Sequence, residues 1–155
     1  MHIEGEESVY VEGAPRAISD KLDAGGLRLM SEDDDRWKKL EVWKLDDDLA
    51  LKIFEATKSF PKEELFGLTS QMRRSALSIP TNIVEGHARR GDKELAHFIS
   101  ISLGSLAETK YLIHFASRLG YLKENKVNEF LTGYDLLGKM LYKFFKAVRL
   151  SVKRS

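Results

Sequence analysis

Near the C-terminus, Val127, Phe130, Tyr134, Leu137, Leu141, Phe144 and Val148 recur at steps of three and four over three heptads. Side chains at that spacing line one side of an α-helix, and they are buried together only when the helix lies against others. The same period appears upstream. Leu45, Leu49, Ile53, Ala56 and Phe60 form one stripe, and Met72, Ala76, Ile79 and Ile83 form another. Residues 93–119 carry two stripes: Leu95, Ile99, Ser102, Leu106, Thr109, Ile113 and Ala116, and beside them Phe98, Ile101, Ser105, Glu108, Leu112, Phe115 and Leu119.

Turn-forming residues separate these stripes. Pro61 stops a first helix expected over residues 45–59, with Asp46, Asp47 and Asp48 in a first turn whose dipole favours negative charge. Trp37, Leu40, Val42 and Trp43 precede it, and the two indoles are expected to cover one end of the bundle. Thr69 or Ser70 is placed to cap a second helix, in which Pro80 predicts a kink rather than a break. Gly91 and Asp92 make the next connection, with Asp92 as N-cap. The third helix, residues 93–119, is roughly 40 Å long at about 1.5 Å per residue and ends at Gly120. A fourth runs from near Lys123 almost to the end. Short links make sequential helices antiparallel. Residues 37–155 therefore read as an all-α, up-down-up-down four-helix bundle. The two-sided third helix needs neighbours within the bundle and, for its surplus apolar surface, another subunit.

Residues 1–36 show no sustained period. Gly13, Pro15 and Gly25-Gly26 interrupt them and residues 32–35 are all acidic, so this segment reads as a mostly disordered leader. Met30, just ahead of the acidic run, is a candidate translation start. The leader holds ten acids against four bases, net −6, whereas the rest holds 21 bases against 14 acids, net +7. A basic domain favours polyanionic partners, and an acidic leader screens it in part. The chain has no cysteine, which fits a reducing cytoplasm. No apolar run approaches the roughly 18 residues of a membrane span, so no membrane partner is expected.

Five segments are distinctive: Leu40-Glu41-Val42-Trp43-Lys44-Leu45; Phe60-Pro61-Lys62-Glu63-Glu64 followed by Phe66-Gly67-Leu68-Thr69-Ser70-Gln71; Arg73-Arg74-Ser75-Ala76; Ser78-Ile79-Pro80-Thr81-Asn82-Ile83-Val84-Glu85-Gly86; and Leu103-Gly104-Ser105-Leu106-Ala107-Glu108. Over about residues 38–122 the chain closely resembles the four-helix-bundle proteins encoded in intervening sequences of bacterial 23S rRNA genes, once labelled S23 ribosomal proteins. That resemblance implies a bundle that assembles as a homopentamer. It also implies a fold similar to the accessory proteins of diversity-generating retroelements, in which a basic pentameric barrel binds nucleic acid and a reverse transcriptase.

The candidate nucleic-acid-binding residues are basic. Lys139, Lys143, Lys146, Arg149 and Lys153 step along the fourth helix apart from its core stripe, followed by Arg154. Cations that neutralise phosphates release counterions, so binding through them is salt-dependent. The simpler reading is a solvated face whose cations complement the C-terminal dipole. Arg73, Arg74 and Arg90, with Arg89 and Lys93, form a second group; Arg suits bidentate phosphate contacts, although Glu85 is placed to pair with Arg89. No aromatic residue interleaves with either group in this reading, so backbone or shape recognition is expected rather than base stacking. Asn82, Glu85, Ser105 and Glu108 are expected to form a structural polar network, with Gly86 and Gly104 allowing close helix approach. One Glu-x-x-His motif, Glu94 to His97, falls short of the two that di-iron bundles use, so no metal and no cofactor are expected. Catalysis finds no nucleophile–base pair. Two readings remain, a nucleic-acid-binding homo-oligomer and a protein-docking module.

Overall fold

The computed structural model describes residues 32–155. The segment expected to be disordered, and Met30 within it, lie outside the described residues apart from its last five positions. Those positions fall in a 3-10 helix, Glu32–Lys39, that crosses the boundary expected after residue 36. Four α-helices follow: α1 Glu41–Thr57, α2 Leu68–Ala88, α3 Asp92–Arg118 and α4 Glu124–Arg154. A short 3-10 turn, Lys62–Glu64, lies between α1 and α2.

Direction follows from cross-helix pairs. Between α2 and α3, Ser75 meets Thr109, Ser78 meets Ser105, and Ile79 meets Ser102. Between α3 and α4, Asp92 accepts from Ser151 and Lys110 pairs with Asp135. Across α1 and α4, Leu49 abuts Gly133 and Lys52 pairs with Glu129. In every set one number rises as the other falls, so each pair is antiparallel. The path is up, down, up, down, with α1 against α4 closing the bundle.

The core is the expected stripes brought together. Val42, Ile53, Met72, Ile79, Ile83, Leu95, Ile99, Ile113, Leu137 and Leu141 are fully buried. The ends of α3 are set by glycine. Gly91, not Asp92, precedes α3 with φ 98°, and Asp92 is the first helical residue. Gly120, with φ 76°, closes the other end: its N–H reaches Ser117 O at 3.0 Å and Tyr121 N–H reaches Ala116 O at 3.0 Å. This is a Schellman turn, which a residue with a Cβ adopts only under strain.

Two starts differ from the sequence reading. Helix α1 begins four residues before Leu45, so Glu41 occupies its first turn and Trp43 lies inside it, edge-on to Trp37 with centroids 4.5 Å apart. Helix α2 begins at Leu68, which leaves Thr69 and Ser70 within the first turn rather than at the cap. The donor left open there, Leu68 N–H, is met by Glu64 Oε2 at 3.0 Å. Helix α2 continues unbroken through Pro80.

Candidate functional site

Helix α4 buries Phe130, Tyr134, Leu137, Leu141, Phe144 and Val148. At about 100° per residue, Lys139, Lys143, Lys146, Arg149, Lys153 and Arg154 fall on the opposite side, and all six are exposed. Aromatic rings do stand among them, contrary to the sequence reading. The Lys146 ammonium lies 5.2 Å from the Tyr142 ring centroid, and the Arg149 guanidinium 5.6 Å from that of Phe145. Tyr142 is 54% exposed, Leu136 52% and Leu150 54%. The sequence reading compared the cations only with the core stripe; projecting the whole helix places these side chains on the same outer face. The face is thus basic with apolar islands.

The second basic group is split by the fold. Arg73 is half-buried: its Nε donates to Thr57 Oγ1 at 2.9 Å, and its guanidinium lies over the Phe54 ring at 5.1 Å. It ties the end of α1 to α2. Arg74 is exposed beside it, whereas Arg90 lies past the far end of α2, where Arg89 pairs with Glu85 at 2.8 Å. Residues 74 and 90 are therefore roughly 24 Å apart along the helix direction, so this second group is not one patch.

The expected polar network is only partly assembled. Asn82 Nδ2 donates to Ser78 O at 2.7 Å and to Ser78 Oγ at 3.0 Å, and Ser78 Oγ lies 2.8 Å from Ser105 Oγ. Thr109 Oγ1 extends the ladder to Ser75 Oγ at 2.9 Å, and Ser102 donates to Ile79 O at 2.8 Å. The Thr81 hydroxyl serves Leu77 O at 2.9 Å. These donors reach the carbonyls of residues 77–79, just ahead of Pro80, whereas the carbonyl that the missing Pro80 N–H leaves open is that of Ala76, four residues back. Glu85 and Glu108 are exposed and stand outside this ladder. Gly86 fits its expected role, since an added Cβ would sit 2.7 Å from Phe98 Cβ. Gly104 does not: a Cβ added there would meet no atom of another element within 4 Å. It belongs to an outward face with Ile101, Glu108, Tyr111, Phe115 and Leu119, all exposed.

Asp46, expected in a first turn whose dipole favours its charge, is instead fully buried beyond that turn, and neither carboxyl oxygen has a hydrogen-bond partner among the described residues. Burial, and then the charge of Asp47, pushes its pKa from 3.8 up to about 9. The signal was present: Asp46 continues the 42, 49, 53 spacing once the helix starts at Glu41. Tyr134, fully buried on α4, also has no partner for its hydroxyl, and burial raises its pKa. Among the described residues no group of three or more His, Asp or Glu side chains is placed to hold a metal ion. Glu94 and His97 are both exposed. No described helix is long and apolar enough to cross a membrane.

Residues 38–143 match the 23S rRNA-intervening sequence protein family. Among solved structures, a protein of unknown function from the S23 ribosomal protein family of Bacteroides thetaiotaomicron superposes with a TM-score of 0.63 at 23% identity, over 68% of this chain and 95% of that one. At that identity the likeness is one of fold. No curated protein matches the chain.

Proposed function

The chain belongs to the 23S rRNA-intervening sequence protein family, and from that premise we propose that it is a non-enzymatic, self-associating cytoplasmic bundle whose α4 outer face binds nucleic-acid backbone. The observation that carries this reading is the α4 face itself. Six exposed cations share one side of one helix, and residues 136–155 contain no acid. Lys146, Arg149, Lys153 and Arg154 lie beyond the matched residues 38–143. Repetition around a ring, a pentamer by family resemblance, would multiply the charge seen by one RNA or DNA. The exposed Ile101, Tyr111, Phe115 and Leu119 of α3 supply apolar surface for self-association.

The test is a mobility shift at low salt on the assembled protein. The unaltered chain is expected to shift RNA or DNA with an affinity that falls steeply with salt. A chain carrying K143E, K146E and R149E is expected to lose most of that binding while keeping its oligomeric state. Absence of any shift by the assembled, unaltered protein at low salt rejects the reading.

The exposed α3 face also favours a second reading, a docking module for another protein such as a reverse transcriptase. Specific capture of such a partner, indifferent to the three α4 reversals and abolished by Phe115→Glu, would select it.

A further inference from the structure

The α4 face asks for a ligand that combines negative charge with a few apolar groups. From residue 136 onward α4 has six cations and no acid of its own. Leu136, Tyr142 and Leu150 stand exposed among those cations.

One stretch of the same chain has the matching composition. Residues 1–12 contain Glu4, Glu6, Glu7 and Glu12 with no Lys or Arg, and between those acids stand Val9, Tyr10 and Val11. We propose that residues 4–12 of the acidic leader dock on the α4 face of the same chain, over residues 136–150, and occupy the cations that nucleic acid would use.

The geometry permits this. The leader joins the bundle through the 3-10 helix Glu32–Lys39, which packs on α1 and α2. That end of the bundle is also where α4 finishes, with Ser151 hydrogen-bonded to Asp92 at the start of α3. Between 20 and 28 residues separate the docking segment from Glu32. A coil of that length spans roughly 25–30 Å, and residues 136–150 of a helix cover about 21 Å. Single exposed ion pairs are weak. Tethering nonetheless sets an effective concentration on the order of millimolar, so several weak pairs suffice for a contact that salt or a competing polyanion displaces. The competition with nucleic acid rests on the proposed function; the docking does not.

The chain has no cysteine, so Ser8→Cys carries a spin label at a unique thiol. At low salt the label is expected to broaden backbone amide signals of residues 136–154 several-fold more than those of α1 or α2. Roughly 0.5 M salt, which shortens the screening length, is expected to remove the difference. Replacing Glu4, Glu6, Glu7 and Glu12 by Gln in the full chain is expected to do the same, and to tighten binding of a short double-stranded RNA several-fold. Broadening spread evenly over the bundle, or centred on another helix, or unchanged by the Gln substitutions, overturns the docking. If broadening centres on α4 while neither chain binds the RNA, docking stands and the nucleic-acid reading falls.

Discussion

Asp46 on α1 and Tyr134 on α4 are both fully buried where those helices pack, both lack a hydrogen-bond partner, and the Asp46 charge adds to the burial that raises the Tyr134 pKa. Among the described residues no cation offsets the acid; its neighbour on α1, Asp47, carries the same sign. The protonated carboxyl is the form compatible with this site.

A stability cost at neutral pH follows. With a pKa of 3.8 when unfolded and about 9 when folded, Asp46 holds a proton in the native state that the unfolded chain releases. Its effect is neutral below pH 4 and grows as pH rises, by about 1.4 kcal/mol per unit until pH 9. At pH 7 that is on the order of 4 kcal/mol. Asp46→Asn is expected to flatten the pH dependence of denaturant stability between pH 5 and 8 and to raise stability at pH 8. An unchanged slope in the variant would show that Asp46 is not held protonated.

Three of the helical glycines, Gly86, Gly104 and Gly133, should diverge on substitution by alanine. At Gly86 a Cβ meets Phe98 Cβ at 2.7 Å, an atom fixed to its own backbone, so Gly86→Ala is expected to destabilise by about 1–3 kcal/mol. Gly133→Ala meets Leu49 Cδ2 at 2.6 Å. That methyl can swing, though within a packed core, so a smaller loss is expected. Gly104→Ala meets nothing and is expected to stabilise the isolated bundle by up to about 1 kcal/mol. Chemical denaturation of the three proteins in parallel checks the order.

Thr109→Val is expected to cost about 1 kcal/mol, because the buried Ser75 hydroxyl loses the hydrogen bond it accepts and keeps only the one it donates to Met72 O at 3.2 Å. Adding Ser75→Ala should cost little more. A double-mutant cycle in which the two losses simply add would mean the pair is not coupled.

Ile101→Glu together with Phe115→Glu changes only exposed positions. Thermal stability of the bundle is expected to hold within a few degrees, while light scattering should show a shift toward monomer. Retention of the full assembly would place the subunit contact on another face.

Much of the candidate site was legible from residue spacing. The α4 cations could be separated from the core stripe because a 3.6-residue period assigns a side to every position. Asn82 and Ser105 could be marked as neighbours because both interrupt apolar stripes on sequential helices. The apolar islands among the cations were missed because two stripes had been compared instead of the whole circumference. Asp46 was missed for another reason. An acid near a helix start is ordinarily a solvated dipole partner, and a shift of four residues in that start turned a surface position into a core one.

The sequence by itself determined four amphipathic helices, their order, their antiparallel links and the family. The helices, their order and their links follow from local periodicity and from turn residues that act within a few positions, and the family from the segments that resemble it. Tertiary structure alone decided which polar groups are enclosed and which glycines are contacts. Those outcomes depend on how each helix is rotated and how closely its neighbour approaches, and residues far apart along the chain set both. Asp46 lies in the core because α4 covers it, and Gly104 is open because no described helix does.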